Sequence, residues 1–188
     1  VSHNQTEDVS SDRLKPVIYG PRRLGDNGDM SDHGDIDIPQ GAFVDHEFEV
    51  AGNRGWIRMW PGLEIAEFGF EGRIQVPAAI GFAREICTLP EWTPRFSRLF
   101  HLHPDALVTD VDMAMLQEAK AAMLAIHGEF YGDQPVRAAN LAAFDHNRPM
   151  AMMWEFLNSD SPGFAVRFFR EREEAIAWLR ELDWVARA

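Results

Sequence analysis

Pro135-Val136-Arg137-Ala138-Ala139-Asn140-Leu141-Ala142-Ala143-Phe144 is the stretch whose reading decides the fold. It reads as a strand. After a short polar loop, Met150, Met153, Trp154 and Leu157 stand at i, i+3, i+4 and i+7, the spacing of one helical face. Gly163-Phe164-Ala165-Val166-Arg167-Phe168-Phe169 then reads as a second strand, and Ala175, Trp178, Leu179 and Leu182 repeat the helical spacing. Strand, helix, strand, helix at this pitch requires crossover connections, and therefore a sheet that is at least partly parallel.

Upstream, Phe96 to Leu102 is a further strand candidate. A helix follows it, with Thr109, Asp110 or Asp112 available as cap and Met115, Ala119, Ala122, Met123 and Ile126 as its buried stripe. Gly128 stands where a left-handed residue would close that helix. Earlier still, Val76, Ile80, Ala83 and Cys87 give a helical face that Pro90 and Pro94 terminate. Before it come three short strands, around Phe43 to Val50, Trp56 to Trp60 and Ile65 to Phe70, with turns at Gly52 to Gly55 and Pro61-Gly62. Connections this short permit antiparallel hairpins. The expected fold is α/β: a four- to five-stranded mixed, mostly parallel sheet with about four helices, plus N-terminal antiparallel strands. Residues 1–41 are polar, acidic and rich in Gly, Asp and Ser, and read as a largely irregular, flexible arm; residues 42–188 read as a single domain.

Composition narrows the function. A net charge of −12 opposes unspecific binding to nucleic acid or to an anionic membrane, since both need a positive field. No apolar run approaches the ~18–20 residues that span a bilayer. The single cysteine, Cys87, excludes an intramolecular disulfide framework and fits a reducing cytoplasm. It lies on the apolar face of its helix, where a thiol is inert.

Two segments carry a family resemblance. Ile65-Ala66-Glu67-Phe68-Gly69-Phe70-Glu71-Gly72-Arg73-Ile74 looks like a strand with a Gly-polar-aliphatic entry into a first helix. Ala165 to Leu179 gives a strand ending in aromatic residues, an acidic helix start and Glu-Ala-x-x-Trp-Leu. Both resemble the STAS family, in its SpoIIAA-like branch, whose fold is related to anti-sigma factor antagonists and more distantly to Sec14-type lipid carriers. The resemblance spans about two-thirds of the chain. It implies a non-enzymatic regulatory or protein-interaction module, with no cofactor and a protein partner or a second copy of itself, as a homodimer. In anti-sigma antagonists a serine that follows an aspartate is phosphorylated. Here Asp110 matches the aspartate, but Val111 stands at the serine position and Thr109 is the only nearby hydroxyl.

Three constellations bear on chemistry. Thr109, Asp110, Asp112, Asp145, His146 and Arg148 fall where strands end and helices begin, the edge at which parallel sheets gather ligands. They form a candidate binding patch, although caps use the same residue types. His101, His103 and Asp105 form a His-x-His-x-Asp string, and two histidines at i and i+2 of a strand share a face. A metal-dependent hydrolase would use them; the plainer reading is a solvated strand edge or loop. Trp154, Trp178 and the methionines at 113, 115, 123, 150, 152 and 153 could line a pocket for a small apolar ligand or a lipid, on the order of several hundred Å3, or could simply pack the core. Trp56, Trp60, Trp92 and Trp184 stand outside the main pattern and suggest an exposed oligomer contact.

Overall fold

Residues 43–50, 53–70, 72–102, 107–108, 111–142 and 148–181 are described by the structure, a computed structural model. The acidic arm lies outside them, as do Thr109, Asp110, Asp145, His146, His103, Asp105, Leu182 and Trp184.

The chain runs β1 (Val44–Val50), β2 (Asn53–Trp60), β3 (Ile65–Phe70), β4 (Arg73–Ile74), α1 (Val76–Ile86), β5 (Ser97–Leu102), β6 (Leu107–Val108), α2 (Met113–Phe130), β7 (Val136–Leu141), α3 (Arg148–Asn158), β8 (Phe164–Phe169) and α4 (Arg172–Leu179). It is an α/β fold. A six-stranded sheet has the order β1-β2-β3-β5-β7-β8, and β4 pairs with β6 in a separate two-stranded ribbon. β1, β2 and β3 form an antiparallel meander, while β3, β5, β7 and β8 run parallel. The expected N-terminal hairpins and the expected parallel sheet are therefore parts of one sheet.

From β3 onward the strand order advances in one direction, and crossovers of this kind are right-handed, so the connecting helices fall on one face. α1 packs on α2 and α2 on α3 along that face, whereas α4 lies across β5, β7 and β8 on the other. Alternate residues of each strand feed the two layers. Ile57, Met59, Phe68, Phe70 and Phe82 form the core beneath α1. Met123, Ile126, Val136, Phe164 and Val166 continue it beneath α2. Ile65, Leu99, Ala139, Phe169, Ala175 and Leu179 fill the layer under α4. Burying apolar side chains on both faces explains why the parallel strands read as nearly continuous apolar runs. At the β8 edge the Phe168 amide donates to Glu155 Oε2 at 2.8 Å, so a helical carboxylate covers a backbone group that would otherwise stand open.

Three details depart from the sequence reading. Gly128 does not end α2; the helix continues to Phe130, Tyr131 caps it, and Gly132 takes the left-handed turn at φ +61°. The amides of Tyr131 and Gly132 both donate to the His127 carbonyl, so the closing geometry belongs four residues further on. Leu116 rather than Met115 is buried on α2. Among the described residues the expected tryptophan patch does not form: Trp60 is buried, and Trp92 packs into the cores beneath α1 and α2.

Candidate functional site

Alanines set the depth of an apolar cavity between helices and sheet. Where α1, α2 and α3 face the sheet, Ala79, Ala83, Ala119, Ala138 and Ala151 stand opposite one another and leave a space of about 120 Å3. Phe70, Phe100, Leu116, Met123, Met150 and Trp154 form much of its wall. Three of the Met/Trp residues singled out in the sequence thus meet at one place. The others do not: Met113 and Met152 are exposed, and Trp178 lies on the opposite face of the sheet against Phe169. The space is also smaller than the several hundred Å3 expected. It is close to an engineered cavity of about 150 Å3 that holds benzene, so it suits a body of about one ring rather than a lipid chain.

Two polar side chains interrupt the apolar wall, Arg98 and Asn140. The strand alternation that directs Phe96, Phe100 and Leu102 toward the helices directs Arg98 there too. Arg98 is only 2% exposed. Its Nε donates to the Tyr131 hydroxyl at 3.0 Å and its Nη2 to Cys87 Sγ at 3.3 Å, and the guanidinium stands 5.0 Å from the Tyr131 ring centre. Burial pushes the Cys87 thiol and the Tyr131 phenol up, and nearby Arg98 does not reverse either shift. Cys87 is buried, as its helical face implied, and its thiol donates to the Ala83 carbonyl at 3.5 Å.

The opposite face carries a second polar cluster, centred on Glu67 of β3. Its Oε1 accepts from His101 Nε2 and Arg172 Nε, both at 2.7 Å; its Oε2 accepts from Arg172 Nη2 at 2.7 Å and Trp60 Nε1 at 2.9 Å. Burial alone would push this carboxyl up. The hydrogen bonds and charges of His101 and Arg172 more than reverse that, and hold Glu67 well below the usual carboxylate range. A carboxylate has about four acceptor positions, and here all are taken. The cluster therefore fastens the first residue of α4 to the sheet and leaves Glu67 no lone pair for a substrate.

His101 is accordingly not on a solvated strand edge: β5 lies between β3 and β7, and the imidazole is bonded to Glu67 with the Trp56 ring 5.2 Å away. The other members of the His-x-His-x-Asp string, His103 and Asp105, lie outside the described residues, among which no group of three or more potential ligands is placed to hold a metal ion. Of the strand-end patch, Asp112 is the N-cap of α2, its side chain accepting from the Met115 amide at 2.7 Å, and Arg148 is the exposed first residue of α3. The plainer reading of Asp112 as a cap holds. No helix among the described residues is long and apolar enough to cross a membrane.

The chain matches no family model, no curated protein and no solved structure. The likeness to STAS domains thus stands on the residue pattern alone.

Sequence reasoning passed over Arg98, Asn140 and Glu67. Their signal was present: each is a polar residue inside an apolar strand of a parallel sheet, where both faces are covered.

Proposed function

We propose that this chain is a non-enzymatic binding domain for a small, mainly apolar ligand held between α1–α3 and the sheet. The observation that carries the reading is the cavity of about 120 Å3, walled by Met123, Met150, Trp154 and a set of facing alanines. Methionine and aromatic side chains adapt their shape to an apolar guest, and a well-packed core would leave few voids larger than a water. Thermal unfolding with and without toluene tests it. At toluene near ten times its Kd, mass action adds about 1.4 kcal/mol, which raises Tm by about 3–6 °C for a chain of this length. An unchanged Tm up to saturating toluene removes the reading.

A second reading, the protein-interaction module that the STAS resemblance implies, is favoured by α3. Met152 and Phe156, at i and i+4 on that helix, are 53% and 75% exposed. Adjacent exposed apolar side chains mark contact surfaces. Self-association that rises with concentration in light scattering, and that Phe156→Glu abolishes, supports a homodimer through this face. A wild-type chain that stays monomeric at high concentration dismisses that form of it.

A further inference from the structure

We propose that the cavity takes a small organic monoanion: a carboxylate on an apolar body of about one ring, with a second hydrogen-bond acceptor at the far end. The inference rests on the pocket reading above and adds the ligand's charge and polarity.

Arg98 supplies the first argument. A guanidinium stays charged at any physiological pH and offers five N–H donors in a planar fork suited to a carboxylate. The acceptors recorded for Arg98 are the Tyr131 hydroxyl, Cys87 Sγ and, at 4.0 Å, Met123 Sδ. None is an oxyanion, and the thiol and phenol are held neutral by burial. Arg54, Arg58, Arg84, Arg95 and Arg172 each pair with a carboxylate. Arg98, the most deeply buried of these six, has none among the described residues. A buried charge without its opposite is strongly disfavoured, and the cavity that the Arg98 side chain helps to line is the space nearest to hand for a counter-charge.

Asn140 supplies an independent second argument. It is 7% exposed, and its Nδ2 has no hydrogen-bond partner among the described residues. Buried amide donors are rarely left so. In the parallel register Arg98 lies beside Ala138 and Phe100 beside Asn140. The two residues therefore share one face of adjacent strands, their backbone positions offset by one side-chain step, roughly 6.6 Å, along them. Ala138, next to Arg98, is short enough to leave room there. A ligand lying along the strands meets the cation at one end and the amide donor at the other, with Phe100 and Trp154 against its body.

Isothermal titration of the full chain at pH 7 and constant ionic strength, with toluene, benzoate and 4-hydroxybenzoate, tests the proposal. Benzoate is expected to bind about 10- to 100-fold more tightly than toluene, the range of a charge-assisted hydrogen bond, and 4-hydroxybenzoate more tightly than benzoate. Arg98→Met is expected to remove the benzoate advantage and leave toluene binding in place; Asn140→Ala removes only the gain from the hydroxyl. If either variant does not fold, the comparison of the three probes on the wild-type chain decides alone. Toluene binding with benzoate no tighter overturns the anion proposal and leaves the pocket reading standing. Binding of none of the three overturns both.

Discussion

Glu67→Gln would leave the Arg172 guanidinium on the sheet without the carboxylate that holds it. Breaking one member of a buried ion pair costs about 3–5 kcal/mol, and Glu67 is only 3% exposed, so little solvent screening softens the loss. Urea unfolding should show a midpoint lowered by that free energy divided by the m-value. The pH dependence has a definite sign. The folded-state carboxyl titrates below its ordinary 4.5, so its contribution is whole above pH 4.5 and is lost as pH falls from there toward the folded value. Wild type should lose stability through that window, and the Gln variant should lose markedly less; parallel curves for the two proteins would refute the assignment. What the sequence showed of this cluster was incomplete for a physical reason. Glu67 is visible as an acid in an apolar strand, but its partner Arg172 lies 105 positions away, and nothing in local spacing joins them. Arg98 was hidden differently: its inward position follows from period-two alternation, yet its lack of a carboxylate is a statement about every neighbour the fold brings near.

Helices and strands were largely legible at the scale of elements, because their apolar rhythm is the same rhythm that buries them. α1, α2, α3 and β8 lie where Val76-Ile80-Ala83, Ala119-Met123-Ile126, Met150-Met153-Trp154 and Gly163 to Phe169 placed them. Their ends were harder to place, since a glycine near the last turn has two competing uses. Gly128 lies inside α2, exposed, with nothing within 4 Å of where a Cβ would stand. Alanine there should stabilise by about 0.5–1 kcal/mol through helix propensity. Gly132 sits at φ +61°, and alanine there should destabilise by about 1–2 kcal/mol through left-handed strain. Opposite shifts in Tm for Gly128→Ala and Gly132→Ala check both assignments; shifts of the same sign would place the helix end elsewhere. Gly69 illustrates a third use. It is paired directly with Trp56 across β2 and β3, and a Cβ would come 2.9 Å from the indole. The strand accommodates a tryptophan on its neighbour by having no side chain of its own.

For the whole molecule, the arrangement of layers follows from connection handedness, but the cavity does not follow from any single element. Three helices share one face of the sheet, and the alanines that line their inner sides come from α1, α2, α3 and β7. Each is unremarkable in its own window of sequence; only their convergence opens a space. An unfilled space of this kind forgoes packing energy, which is tolerated where a ligand supplies it. Ala119→Leu puts this to the test. Ala119 is buried in the middle of the long helix α2 and lines the cavity, and leucine is nearly as good a helix former as alanine. In a tightly packed core the same change would cost about 1–3 kcal/mol by overpacking. Filling a real void should instead add about 0.5–2 kcal/mol and raise Tm by roughly 2–4 °C per kcal/mol, while abolishing the further rise that toluene gives the wild type. A variant that is both destabilised and still responsive to toluene would mean that the ligand enters elsewhere and that the space between helices and sheet is no binding site. A variant that is more stable and unresponsive ties the missing packing energy and the binding of a guest to the same few side chains.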